Sequence, residues 1–331
     1  MKLKTNTAIF VFMLMLAVAV AGCSPPEPAA IEGPTRTIMT GDREVIVPDD
    51  AQRIIALDVG TAVDMIALGV EPIGIVDYGR RDTIAFFSYP HQDIPSMGDS
   101  EGPNYEAILA QNPDLMVGRL ENIGWLNDAE AQLAAIAPIA LSDATSADWD
   151  EHLQFVGDAI NKRAEADDLV ATFDQRIKEF REAYAATGRN ETETIAIIRS
   201  RASLFNIYAN NYFITGLVKD AGLKMPEEYE DLPARNRLSL EELDTLSSDY
   251  LFVVARNEDE AGALAEARET PLWQLLPSVQ KDQVYEVEFS IWVSGWNVGG
   301  ANIVLDNLFE IVLGQESSTP NPLAEYILDE Y

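Results

Sequence analysis

Six arginines stand at the ends of short apolar runs. Arg80 and Arg81 follow IGIVDYG, Arg119 follows DLMVG, Arg199 and Arg201 flank the end of TIAIIRS, and Arg256 follows LFVVA. A guanidinium is a planar fork of donors that grips carboxylates and catecholates bidentately and stays charged when partly buried. Aromatic residues fall close by: Tyr78, Tyr208 and Trp125, with Trp292 and Trp296 in the loop IWVSGWNVGG. An aromatic face beside an arginine stacks on a flat aromatic chelator. These types in this pattern predict a pocket for an anionic small molecule, with Arg199, Arg201 and Arg119 foremost. The competing reading, for any one arginine, is a surface ion pair with the abundant acids.

Those acids dominate the chain. It has 331 residues and a formal net charge of −32, with 23 basic residues against 55 acidic ones. Such a balance excludes a nucleic-acid partner and suits solubility in a salty exterior. In so acidic a protein, cations gathered at one place need a reason, and an anionic ligand supplies one.

The elements that position them alternate. RIIALD, EPIGIVD, DLMVG and PIAL read as strands, and VGTAVDMIALG, NYEAILAQN and DAEAQLAAIA as helices between them. Strand then helix, repeated, predicts a parallel sheet in an α/β domain. From 148 to 186 the chain lacks proline, and Leu169, Phe173, Ile177, Phe180 and Tyr184 recur at helical spacing. This stretch predicts a stiff connector, one long helix or two abutting ones. TIAIIR, DYLFVVA and QVYEVE are strands of a second half. NYFITGLVKDAGL and SLEELDTL contain helices, GGANIVLDNLFEIVLG is a closing helix, and Trp273 in TPLWQLLP is a core residue. In open α/β sheets ligands bind beyond the carboxyl ends of the strands, which is where the six arginines fall.

One pattern occurs twice. NYEAILAQNPDLMVGR (104–119) and SLEELDTLSSDYLFVVAR (239–256) each carry a glutamate, Glu106 or Glu241, then Asp114 or Asp249, an apolar run, and a closing arginine. A pattern repeated at this distance implies two similar halves. Each glutamate falls early in a helix, where the dipole favours a carboxylate; Glu242 rivals Glu241.

The first 22 residues stand apart. Lys2 and Lys4 precede the uncharged AIFVFMLMLAVAVAG, which is short for a membrane span and suits a secretory signal. It ends in VAGC, which resembles a bacterial lipobox, and SPPEPAAIEGP behind it reads as a polar tether. Cys23 is the only cysteine, so no intramolecular disulfide forms, and a lipid anchor on it explains its position.

Enzyme chemistry has few carriers here. H-E-x-x-H and a phosphate loop are both missing. The two histidines, His91 and His152, are far apart, which argues against a His-based triad and against a zinc or manganese carrier. His152 falls in the connecting helix as a structural or solvated residue. An anchored enzyme is the alternative of a different class.

Taken in order, NYEAILAQNPDLMV, SLEELDTLSSDYLFVV, TPLWQLLPSVQKDQVYEVEFSIW and ANIVLDNLF resemble the substrate-binding proteins of ferric-siderophore and cobalamin importers of the ATP-binding-cassette type, from about Arg53 to Gly314. The resemblance implies two Rossmann-like α/β lobes joined by a long helix, with the ligand cleft between them. It divides the chain into a lipoprotein signal (1–22), a lipidated Cys23 with a flexible tether (23–35), an N-terminal lobe (36–147), a linker helix (148–187) and a C-terminal lobe (188–331). It implies an extracytoplasmic, lipid-anchored monomer with no catalytic residues and no cofactor. The protein would capture an anionic iron(III)-siderophore and deliver it to the permease. Glu106 and Glu241 match the positions that dock into permease arginines, and Arg80, Arg81, Arg119, Arg199, Arg201, Arg256, Tyr78, Tyr208, Trp292 and Trp296 would line the site. Cobalamin is an alternative ligand that needs fewer cations. Haem is another, with His91 as axial ligand.

Overall fold

The computed structural model describes residues 27–78, 94–123, 128–201, 204–209, 212–229, 232 and 235–327. Cys23, Arg80, Arg81, His91 and Trp125 lie outside them.

The described chain begins as an extended stretch held at one point against the N-terminal lobe, where Ala29 N donates to Ala134 O at 2.7 Å. Part of the expected tether is therefore docked. An antiparallel hairpin follows, β1 (Thr35–Thr40) with β2 (Arg43–Pro48). Sequence reading did not foresee it, because its exposed face carries Met39 and Ile46 and breaks the alternation that marks a half-buried strand.

The N-terminal lobe is a parallel sheet of β3 (Ile54–Ala56), β4 (Gly74–Ile75), β7 (Leu115–Arg119) and β8 (Ile139–Ser142), in the order β4-β3-β7-β8. Between β4 and β7 lies a small hairpin, β5 (Gly98–Asp99) and β6 (Gly102–Pro103). Helix α1 (Val59–Ala67) follows β3, α2 (Tyr105–Ala110) precedes β7, and α3 (Ala129–Ala134) precedes β8. The C-terminal lobe has five strands, β9 (Ile195–Arg201), β10 (Leu204–Tyr208), β11 (Arg235–Ser239), β12 (Tyr250–Ala255) and β13 (Val284–Glu288), in the order β11-β10-β9-β12-β13. Only β9, β12 and β13 are parallel; β10 runs antiparallel to both of its neighbours. β10 begins three residues after β9 ends, and so short a separation permits only an antiparallel partner. The lobe is thus mixed rather than purely parallel.

The connector is two helices, α4 (Trp149–Ala159) and α5 (Arg163–Ala186), rather than one. Asn161 between them takes a left-handed backbone, φ 61°, which ends the first helix. After β10 comes α6 (Phe213–Asp220), after β12 α7 (Glu258–Arg268), and near the end α8 (Val298–Leu308), continued as a π-helical turn (Phe309–Leu313).

Each lobe has a private core on one face of its sheet, built on Leu57, Ile108 and Met116 in one and on Ile198, Phe205 and Trp273 in the other. Their opposite faces share one apolar cluster. It runs from Ile54 and Val63 through Trp149, Phe173 and Phe180 of the connector to Ile195, Phe252, Val304 and Phe309. A core common to both lobes resists large hinge opening, because packed interiors deform little.

The repeated aspartates do the same work in both lobes. Asp114 accepts from Gln52 N and Arg53 N, both at 2.9 Å, while its own N–H donates to Arg53 O at 3.0 Å. Asp249 accepts from Thr194 N at 2.8 Å, and its N–H donates to Thr194 O at 2.9 Å. Each fixes the entry of the neighbouring strand, which sets the register of the parallel pair.

The loop before α8 is packed tightly at its glycines. A Cβ on Gly300 would lie 2.1 Å from Gly295 O. Gly300→Ala should destabilise the protein by about 1–3 kcal/mol through overpacking. A thermal melt unchanged from the parent would show that the loop yields.

Candidate functional site

At the carboxyl end of β3, Asp58 caps α1, accepting from Thr61 N at 2.9 Å, and its other oxygen accepts from Thr61 Oγ1 at 2.9 Å and Arg119 N at 3.1 Å. Arg119, at the end of β7, is only 1% exposed. Its guanidinium donates to Thr145 O at 3.1 Å and to Trp296 O at 2.7 Å. It therefore straps the N-terminal lobe to the loop ahead of α8. Gly60 makes the approach possible, since a Cβ there would meet Trp296 O at 3.3 Å. Arg119, Trp296, Asp58, Asp77, Tyr78 and Asn122 line a small recess. Tyr78 holds a left-handed backbone there, φ 49°.

Beneath this strap lies a buried polar chain. Thr61 Oγ1 is 2.9 Å from His152 Nε2, His152 Nε2 is 3.9 Å from Asp64 Oδ2, and Asp64 Oδ1 accepts from Val298 N at 3.0 Å. Burial pushes the Asp64 carboxyl up to about 8, assisted by Asp58 and opposed by Arg119 and the Val298 N–H. Burial, with the Arg119 charge, holds His152 well below the usual imidazole range, so it is a neutral structural residue.

In the C-terminal lobe the strand register makes a row. Arg199 on β9 pairs with Asn206 on β10, which pairs with Arg237 on β11. Directly opposed residues share a face and so do residues two apart, so Arg201 joins them. Arg201, Leu204, Asn206, Arg237, Asn257, Asp259 and Glu260 line an open cavity of about 460 Å³. Arg199 itself is buried, tied to Glu260 by Nε–Oε2 at 3.0 Å and Nη2–Oε1 at 2.7 Å. Burial alone would lower the Arg199 guanidinium; its hydrogen bonds to Glu260 and Tyr208 and their charges raise it instead. Arg199 also lies 4.4 Å over the Phe289 ring, with Arg256 5.6 Å from the same ring. The Arg201 side chain is 42% exposed and 3.9 Å from Glu260.

Several expectations change. Arg119 and Arg199, read as foremost contacts, have their donors committed within the chain. Trp292 is fully buried, stacked on Phe252 at 4.7 Å with its N–H on Asn307 at 3.0 Å. It is a core residue, placed inward by the one-turn helix Phe289–Trp292. Tyr208 is buried against Tyr212, ring centroids 4.9 Å apart. Trp273 is core, as expected. Arg201 faces the cavity and Arg256 is exposed beside it. Sequence reading missed Arg237, Asn206, Glu260 and Phe289. Of these, only Glu260 carries a recognisable signal, an acid three residues after the cap Asn257.

Glu106 is exposed in the first turn of α2, capped by Asn104, which accepts from Ala107 N at 3.0 Å. In the 3₁₀ helix Leu240–Thr245, Glu242 accepts from Ser239 N at 3.0 Å and Ser239 Oγ at 2.7 Å. Glu242 is thereby committed to the cap, while Glu241 beside it is exposed and takes no part in the cap. Among the described residues no helix is long and apolar enough to cross a membrane, and no group of His, Cys, Asp and Glu is placed to hold a metal ion.

A family model described as periplasmic binding protein matches residues 54–290. A probable siderophore-binding lipoprotein of Bacillus subtilis is 25% identical over 276 residues, 79% of this chain and 82% of its own. The Staphylococcus aureus protein SirA, solved with staphyloferrin B, superposes with a TM-score of 0.72 at 21% identity, covering 84% of this chain and 99% of that one. The triscatecholate siderophore binding protein of Bacillus subtilis, solved with ferri-bacillibactin, gives 0.68 at 22% identity, covering 85% and 99%.

The buried acid leads to a pH prediction. With its folded value pushed up to about 8 from an ordinary 3.8, Asp64 holds a proton in the native state that the unfolded chain has lost across that window. Its contribution to stability therefore falls as pH rises from about 4 to 8 and is flat beyond. Asp64→Asn keeps an acceptor for Val298 N–H, so its melting temperature relative to the parent should climb between pH 5 and pH 8. A constant difference would show that Asp64 ionises normally.

Proposed function

We propose that this chain, which belongs to the periplasmic binding protein family, captures an anionic iron(III)-siderophore outside the cytoplasm and delivers it to the permease of an ATP-binding-cassette importer. The family is one of binding proteins, not enzymes. The observation that carries the ligand reading is the open cavity on the C-terminal lobe to which Arg201 and Arg237 present exposed guanidinium groups, in a chain of net charge −32. A local cluster of cations against such a background attracts a ligand of negative charge. Relatives named for siderophore and iron(III)-citrate binding support the choice.

The chain acts as a monomeric shuttle anchored by lipid on Cys23. Arg201, Arg237 and Arg256 contact the ligand from the C-terminal lobe, and Tyr78 and Trp296 face it from the other; Arg80 and Arg81, which lie outside the described residues, remain candidates by sequence. Glu106 and Glu241, an exposed acid from each lobe, seat the loaded protein on permease cations.

Tryptophan fluorescence of the purified chain should be quenched at sub-micromolar ferric citrate, ferric staphyloferrin B or ferri-bacillibactin. Arg201→Ala or Arg237→Ala should weaken binding about ten- to hundredfold, the range for a charged hydrogen bond. Response to cobalamin or haemin alone would overturn the ligand reading and leave the fold standing. In cells, Glu106→Ala with Glu241→Ala should abolish uptake of radioactive iron while the purified double variant binds its chelate normally. Undiminished uptake would remove the docking assignment.

A further inference from the structure

Glu260 sits at the meeting point of the cations in the C-terminal lobe. Its carboxylate accepts both donors of Arg199 and the Arg256 N–H at 2.8 Å, and its peptide oxygen accepts from Ser200 Oγ at 2.9 Å. The side chain is buried and also lines the open cavity beside Arg201. Its two ion pairs are unequal. The Arg199 pair is bidentate at 2.7 and 3.0 Å, whereas Arg201 approaches no closer than 3.9 Å and is half exposed. The first is a committed ion pair, and the second is a contact that a better partner displaces.

From this geometry we infer that Glu260 is the built-in counter-anion of the ligand site: it holds Arg199 permanently and Arg201 provisionally, and an anionic arm of the ligand takes Arg201 from it. The inference rests on the reading of the cavity as the ligand site. Two consequences follow. Arg199 is a positioning residue, kept in place by Glu260 and Phe289, while Arg201 is the movable donor. Glu260 also weakens anion binding by placing a negative charge at the cavity wall. Without it, Arg201 would bind anions of many kinds, including simple salts. With it, an incoming anion must outbid a carboxylate already present, so a chelate that engages Arg201 and Arg237 together is favoured over a monodentate one. The same internal partner receives Arg201 back when the ligand leaves, which lowers the barrier to release.

The test is Glu260→Gln in the full chain, titrated with ferric citrate, ferric staphyloferrin B and ferri-bacillibactin at several salt concentrations, beside Glu260→Ala. The glutamine oxygen keeps the acceptor for Arg199 Nε and the Arg256 N–H, gives up the one for Arg199 Nη2 and removes the charge. Loss of one unit charge from a partly screened wall should tighten binding about five- to tenfold, steepen its salt dependence and slow ligand dissociation. Glu260→Ala, which drops Arg199 as well, should bind more weakly than the glutamine variant. Binding by the glutamine variant alone, with the parent silent, also supports the inference. A parent that binds with a glutamine variant weakened as much as Arg201→Ala overturns it while the functional reading stands. Silence from both overturns the two together.

Discussion

The burial of guanidinium groups in a strongly acidic chain is the constraint on which the rest depends. A buried cation is costly unless its donors are matched. Arg119, Arg176 and Arg199 are all buried, and each is matched by groups from a different element. Arg119 takes carbonyl oxygens of Thr145 and Trp296. Arg176 of α5 takes Asn302 and Asp306 of α8 together with Thr319 O. Arg199 takes Glu260. The requirement to satisfy each charge draws the connector, the closing helix and the strand ends into one arrangement.

That requirement also sorts the arginines. Those satisfied internally are struts, and those left at the strand ends with exposed forks are the donors we propose for a ligand. The shared apolar cluster supports the division by holding both lobes against α5 and α8. Low-amplitude closure suits a site whose donors are already placed, since little ordering remains for the ligand to drive.

The sequence made much of this legible. Strand and helix alternation placed β3, β7, β9 and β12 and the helices between them, because parallel strands buried on both faces read as continuous apolar runs. The repeat pointed to two lobes, and its aspartates prove to clip equivalent strand entries. The hairpin of β1 and β2 and the antiparallel β10 and β11 were not legible. Arg235, Asn236 and Arg237 make β11 polar, and polar edge strands carry no strong pattern. In the candidate site, an arginine after a strand marked a strand end but not which side chain stays exposed there. Arg199 and Arg201 share one face of β9 and differ in that Glu260, 61 residues beyond Arg199, folds back to grip the first bidentately and only approaches the second. A tryptophan in a glycine-rich loop likewise gave no sign of which of Trp292 and Trp296 would face the recess; the turn of helix at Phe289 decided it.

The most direct test of the division between struts and donors is a crystal structure of the chain loaded with an anionic ferric chelate. The account predicts Arg201 and Arg237 within hydrogen-bonding distance of the chelate, with Arg199 still bidentate on Glu260 and Arg119 still on Trp296 O. A structure in which Arg199 leaves Glu260 for the ligand, or in which Arg201 and Arg237 point away from it, would contradict the account.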